Sequence, residues 1–300
     1  MSWSGGVIGW AWRASAQVDK SWKLRSKFVL AALREPEVAR SLEHLDPASP
    51  LGRLLAKRPE TIGNLIWPYQ CAAWDAKTRF ERIAGHLDAV EKLPGLKVDG
   101  DDKILFADLT SLSDDTWVMI DYSPWLAREG HLTLSLFKGD FRAFTIAFSL
   151  SNWPQTELFI GGIQGRNDAR ILDLYRDLTK EFHGVRPRDL VLELLRLLAL
   201  RIGAHHIYAV ADDYKISRHP YFGKKGTTGL VYDDVWVDRG GVKVADTHFE
   251  LPLAGTRRDL NEVAAKKRSM YRRRYEMFDQ LEASLPQDFA QAGRRRFDAS

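Results

Sequence analysis

The hydrophobic period changes at Ile104, and that change decides the fold class. Downstream of it, apolar residues crowd into ILFADL, TWVMIDY, HLTLSLFK, FRAFTIAFSL and ELFIGGI, short runs rich in β-branched and aromatic side chains. Turn residues separate the runs, which predicts strands. Their connections are too short for a crossover, so consecutive strands must run antiparallel, as a meander. Lys138-Gly139-Asp140 reads as a compact hairpin turn between two of them. The meander needs an apolar cover, and Pro187 to Ile202 supplies it: the segment is apolar nearly all round, with Asp189, Glu193 and Arg196 confined to one narrow stripe. Such a helix is largely buried. The expected class is α+β, a largely antiparallel central sheet with flanking helices.

The rest of the chain is organised around that core. Residues 1–19 read as a flexible N-terminal arm, 20–100 as a helical N-terminal region, 101–255 as the mixed sheet and helix core, 256–285 as a basic C-terminal helix packed on the core, and 286–300 as a flexible tail. In the helical region, Lys20 to Leu33, Leu51 to Lys57 and Ala72 to Leu93 carry apolar residues at helical spacing, with stops at Pro36, Pro59 and Pro94-Gly95. Beyond the meander come an amphipathic helix from Asp168 to Phe182, the buried helix, a strand at HHIYAVAD, a Gly- and Lys-rich loop at 223–229, the segment YDDVWVDRGG and a short strand at HFELP.

Composition narrows the function classes. The net charge of +4 over 300 residues gives no polyanion-binding signal on average, so only local clusters are informative. Cys71 is the one cysteine, which excludes an internal disulfide and a multi-thiolate zinc site and fits a reducing compartment. The N-terminus lacks a basic region followed by a long apolar run, and no segment approaches the roughly 20 apolar residues that span a bilayer. The expected location is cytoplasmic, at most peripheral to the inner membrane. His205 and His206 point to opposite faces of a strand, and no metal-ligand spacing occurs, so no metal is expected. Gly-x-Ser-x-Gly, Walker and dinucleotide motifs are absent.

The richest stretch for chemistry runs from ELFIGGIQG through HGVRPRDLVLELLRLLALRIG to HHIYAVAD. Gly161 and Gly162 inside a strong strand point to a bulge, to close approach of a ligand, or to close packing of a helix. Pro187 suits a first helical position, and Arg186 and Arg188 flank it at a helix end that favours anions. A broken strand, a basic loop at the start of a buried helix and a further strand resemble the way acyl-CoA N-acyltransferases hold a pyrophosphate, a GNAT-like core. Their loop reads R-x-x-G-x-G, whereas this one reads VRPRD.

IGGIQG, HGVRPRDLVLELLRLLA, YDDVWVDRGG, HFELP and KKRSMYRRRYEMFDQL, in that order, resemble the VirK/YbjX proteins of Gram-negative bacteria. The resemblance runs from roughly Ile66 to Leu285. It implies a link with virulence and resistance to envelope-directed antimicrobial peptides, and no established reaction. That family usually carries an Asn-His pair where this chain reads Asp212-Asp213-Tyr214.

These readings converge on an acyl- or aminoacyl-transferase, moving an acyl group from a thioester of CoA or of a carrier protein to a small-molecule or peptide amine. Acyl-CoA or the phosphopantetheine of an acyl carrier protein is the expected co-substrate, with no cofactor bound permanently. Donor phosphates are expected near Gly161, Gly162, Gln164, Gly184, Arg186 and Arg188. Asp212, at the end of a strand, is placed for a base, though a turn explains it as well. Tyr232 is placed to protonate the leaving thiolate, and core packing explains it equally. His183, ahead of Gly184, is a third candidate beside a capping or packing role. Basic residues at 266–274 offer a surface to an acidic carrier protein or an anionic membrane, and no module for nucleic acid accompanies them. The alternative class is a non-enzymatic accessory protein of envelope stress that binds a membrane surface or a protein partner through the terminal helix.

Overall fold

The alternating segments form strands of one sheet. β1 (Lys103–Asp108), β2 (Thr116–Asp121), β3 (Leu132–Lys138), β4 (Phe141–Ser151) and β5 (Glu157–Gly165) make the meander. β6 (His206–Val210), β7 (Val242–Ala245), β8 (His248–Leu251) and β9 (Arg294–Arg295) complete the order β7-β8-β6-β5-β4-β3-β2-β1-β9. The structure, a computed structural model, describes residues 6–93, 95–98, 102–152, 154–166, 171–222 and 230–295. Pro94, the loop at 223–229 and the first residues of the helix expected from Asp168 lie outside them.

Each pairing in the sheet is antiparallel except that of β5 with β6. A parallel pair needs a crossover, and α6 (Ile171–Glu181) with α7 (Pro187–Arg201) provides it. The β3–β4 hairpin pairs Lys138 with Phe141, leaving Gly139 and Asp140 as the turn; Gly139 takes a φ of +60°, which glycine adopts without strain.

The sheet is covered on both faces. Along β4 the side chains alternate. Ser149 bonds Tyr69 at 2.7 Å and Ser151 bonds Arg82 of α5 (Ala76–Lys92) at 2.8 Å. By alternation Ile146, Phe148 and Leu150 point the other way, into the core shared with Leu190, Leu194 and Leu198 of α7. A second core lies in the N-terminal layer of α1 (Val7–Ser15), α2 (Trp22–Arg34), α3 (Pro36–Glu43) and α4 (Pro50–Lys57). α5 links the two, since Phe80 and Ile83 belong to the N-terminal core and Ala89 and Val90 to the sheet core.

Four expectations are corrected. The arm at 1–19 contains α1, whose Ala11 is fully buried and whose Trp10 ring meets Phe28 at 6.2 Å; the packing face was hidden by glycines and the lack of a cap. Glu35-Pro36 ends α2 but also starts α3, since proline is tolerated at a first helical position. The basic terminal helix, α9, spans Ala265–Ser284 rather than 256–285. The tail is tied down as far as residue 295: Phe289 is buried and stacks on Phe106 at 6.3 Å, and β9 pairs with β1. YDDVWVDRGG forms the short helix α8 (Tyr232–Asp238), so Asp233 and Asp234 sit in its first turn.

Candidate functional site

β5 and β6 pair only from Glu157–Ile160 against His206–Ala209. At that point the β4–β5 register slips, matching Ala147 to Gly162 and Phe148 to Ile160, so Gly161 is the extra residue of a bulge. Beyond it β5 continues along β4 to Gly165 without β6. The Tyr232 hydroxyl occupies the gap, accepting from the Ile163 N–H and donating to the Ile163 carbonyl, each at 3.1 Å.

The glycines make room for a loop. A Cβ on Gly161 would overlap the Glu129 carbonyl oxygen, and one on Gly162 would overlap the Glu129 carboxyl group. Gln70, in the left-handed region at φ 53°, holds that loop down: its N–H donates to Arg128 O at 2.7 Å and its side chain to Phe159 O at 3.0 Å. Glu129 is thereby pressed onto the bulge.

A cavity of about 930 Å³ opens over this point. Its wall includes Arg58, Trp67, Arg128, Glu129, Gln164 and Tyr232. The Glu129 Oε2 is buried without a hydrogen-bond partner, and burial pushes this carboxyl up to about 7. Two more buried atoms of the wall, Asn64 Oδ1 and Trp67 Nε1, also lack partners. Buried polar atoms are rarely left so, and three of them belong to residues that line this one cavity. The Arg128 guanidinium lies 4.3 Å from the Trp67 ring centroid and that of Arg58 lies 3.4 Å from Tyr122. Neither forms an ion pair among the described residues, and burial lowers the Arg128 pKa. Two cations backed by aromatics and lacking counter-ions suit an anionic group.

His131, also on this wall, belongs to a buried polar cluster. The Tyr69 hydroxyl bonds His131 Nδ1 at 2.6 Å and Ser149 at 2.7 Å, and His86 lies 5.3 Å from His131. Burial, with the Arg58 charge beside it, pushes His131 down to about 3; burial and then His131 hold His86 well below the usual imidazole range.

The expected site residues are divided among different places. Gln164 and Tyr232 line this cavity. Gly184 and Arg186 line a second one of about 940 Å³ between α7, α8 and α9, while Arg188 pairs with Asp189 at 3.0 Å. His183 lines neither; at φ 51° it turns the chain between α6 and α7, and its carbonyl accepts from Arg274. Burial works to raise the Asp212 pKa, but hydrogen bonds from Lys215, the Tyr232 N–H and Arg218 outweigh it and hold it at about 2. With Lys215 at 2.8 Å and Arg218 at 2.7 Å, Asp212 anchors its loop and stays ionised. Burial raises the Tyr232 phenol, which is already committed to Ile163. Glu129, Arg58, Arg128 and His131 went unweighed in the sequence; the demand of Gly161 and Gly162 for a close neighbour was the one signal pointing to them. Cys71 is buried and free, and among the described residues no group of three His, Cys, Asp or Glu side chains is placed to hold a metal ion.

Fold and cavity together define an α+β protein with a polar, arginine-backed pocket at the break in a parallel strand pair. The chain belongs to the family described as "Protein of unknown function (DUF535)", which matches residues 17–287. It is similar to "Uncharacterized protein YbjX" of Escherichia coli (strain K12), at 30% identity over 291 residues, covering 91% of this chain and 86% of that protein. It is also similar to two uncharacterized proteins of Haemophilus influenzae. One is 28% identical over 72% of this chain and 73% of its own length, the other 27% identical over 60% of each. The VirK/YbjX resemblance holds on this basis. No solved structure matches the chain.

Proposed function

We propose that the chain is a transferase that moves an acyl or aminoacyl group from a thioester to an amine, and that the first cavity is its active site. The observation that carries this reading is Glu129, a carboxyl of pKa about 7 with a buried, unpartnered oxygen, held where β5 leaves β6. A general base works best when its pKa lies near the operating pH. In this reaction the amine nitrogen attacks the thioester carbonyl, a C–N bond forms and the C–S bond breaks. The amine proton passes to Glu129 and then to the departing sulfur. Arg58 and Arg128 hold the anionic part of the donor, and Tyr232 and Asp212 shape the site. The volume suits a ligand of this size. Acyl-CoA is favoured over a carrier protein as donor, because no residue of basic α9 lines the first cavity.

The test is thermal shift and turnover with acyl-CoAs and a panel of amines. Acyl-CoA is expected to stabilise the wild-type chain and Glu129→Gln alike, with turnover lost by roughly 10²–10⁴-fold in the variant. Arg58→Ala with Arg128→Ala should weaken donor binding, and Arg186→Ala with Arg188→Ala should leave it unchanged. Wild-type turnover by Glu129→Gln, or no stabilisation by any donor, ends this reading.

A further inference from the structure

The N-terminal helices show a surface that the cavity does not use. Trp22 is 75% exposed, and Leu30 and Leu33, eight and eleven residues on, face solvent on the same helix. On α1, Ile8 and Trp12 are exposed one turn apart. Ala11 on α1 and Phe28 and Ala32 on α2, all fully buried, fix the packing faces of the two helices inward. Arg25 of α2 links the two helices at Trp12. The Arg25 guanidinium lies 3.9 Å from the Trp12 ring centroid, donates to Trp12 O at 2.7 Å and to Ser15 Oγ at 3.1 Å, and sits one turn from Trp22.

Charge says what this surface meets. Residues 6–34 hold six cations (Arg13, Lys20, Lys23, Arg25, Lys27 and Arg34) against Asp19 alone, a surplus of five in a chain whose total is +4. Lys23 and Lys27 lie exposed on α2 between Trp22 and Leu30. Protein–protein interface cores are depleted in lysine, so this interleaving does not fit a protein partner. It fits a bilayer surface, where tryptophans sit at headgroup depth while lysine stems lie along apolar groups with their charges in water. Each Lys or Arg adds roughly five-fold to affinity for an anionic leaflet.

We infer that the α1–α2 hairpin docks the protein on an anionic membrane surface, with Trp12, Trp22, Leu30 and Leu33 entering the headgroup layer. The surface is an element apart from α9 and holds whether or not the cavity carries acyl transfer.

The full chain is sedimented with vesicles of phosphatidylcholine, with and without phosphatidylglycerol. Binding is expected only with phosphatidylglycerol, falling as salt rises, with a blue shift of tryptophan emission. Lys23→Glu with Lys27→Glu should weaken it by roughly 25-fold or more, and Trp12→Ser with Trp22→Ser should remove the blue shift. Arg272→Glu with Arg273→Glu on α9 should change neither. All six positions are solvent-facing, and circular dichroism checks that each variant folds. No binding by the wild type, binding that survives both hairpin variants, or loss caused by the α9 pair alone overturns the inference. So does light scattering that shows the hairpin variants dispersing a dimer, because a second copy would then be the occupant.

Discussion

Glu129 is placed by two residues that have no side chain. Gly161 leaves room for its carbonyl and Gly162 for its carboxyl group, while Gln70 holds the loop from the other side. Gly162→Ala forces a methyl group into that carboxyl, and overpacking of this sort costs on the order of 1–3 kcal/mol. The variant should therefore melt at lower temperature and lose turnover together, as read by calorimetry and the transfer assay. A stable, fully active Gly162→Ala would show that the contact is slack. The same scale explains why Asp212 and Tyr232 read as catalytic in the sequence. An acid at a strand end and a tyrosine beside acids are the residue types that chemistry uses, and only the partners (Lys215, Arg218 and Ile163) reveal an anchor and a plug.

Among the elements, those legible in the sequence were the ones whose periodicity is a local matter. β1 to β5, α7 and β6 fall close to their expected segments, because alternation and an all-round apolar helix need no knowledge of neighbours. α1, β9 and the packed tail were not legible. Each owes its order to a distant partner: α1 to Phe28, Phe289 to Phe106, and β9 to β1. The site was partly legible for the same reason. The break in β5 is local, whereas Glu129, pressed onto it, arrives from the β2–β3 connection, Tyr232 from α8, and Arg58 from the end of α4.

The layer between α5 and β4 also sets how stability follows pH. His86 and His131 are neutral when folded, with pKa values below the usual 6.5. Below that pH the unfolded chain binds protons that the folded one refuses, so stability is full above about 6.5 and falls as pH drops. The slope reaches roughly 1.4 kcal/mol per pH unit for each histidine. Glu129 acts in the opposite sense. Its folded pKa of about 7 lies above the usual 4.5, so its contribution is present below 4.5 and is lost as pH rises through 7. Two histidines outweigh one glutamate. The melting temperature should fall between about pH 7 and about pH 5, and fall more steeply in Glu129→Gln, which lacks the opposing term. A melting temperature indifferent to pH would place these groups in water.

In the whole molecule, a sheet covered on both faces keeps three surfaces apart. The arginine-backed cavity lies between the N-terminal layer and the end of β5, the second cavity lies beside α7 and α9, and the tryptophan-bearing hairpin lies at the N-terminal edge. No helix of the described residues is long and apolar enough to cross a membrane. Everything proposed for the chemistry converges on the state of one carboxyl group. Infrared difference spectra of the wild type minus Glu129→Gln, titrated with and without acyl-CoA, read that group directly. With Glu129 as the base, the midpoint lies near 7 and moves when the donor binds; a midpoint near the ordinary 4.5, unmoved by donor, rules that role out.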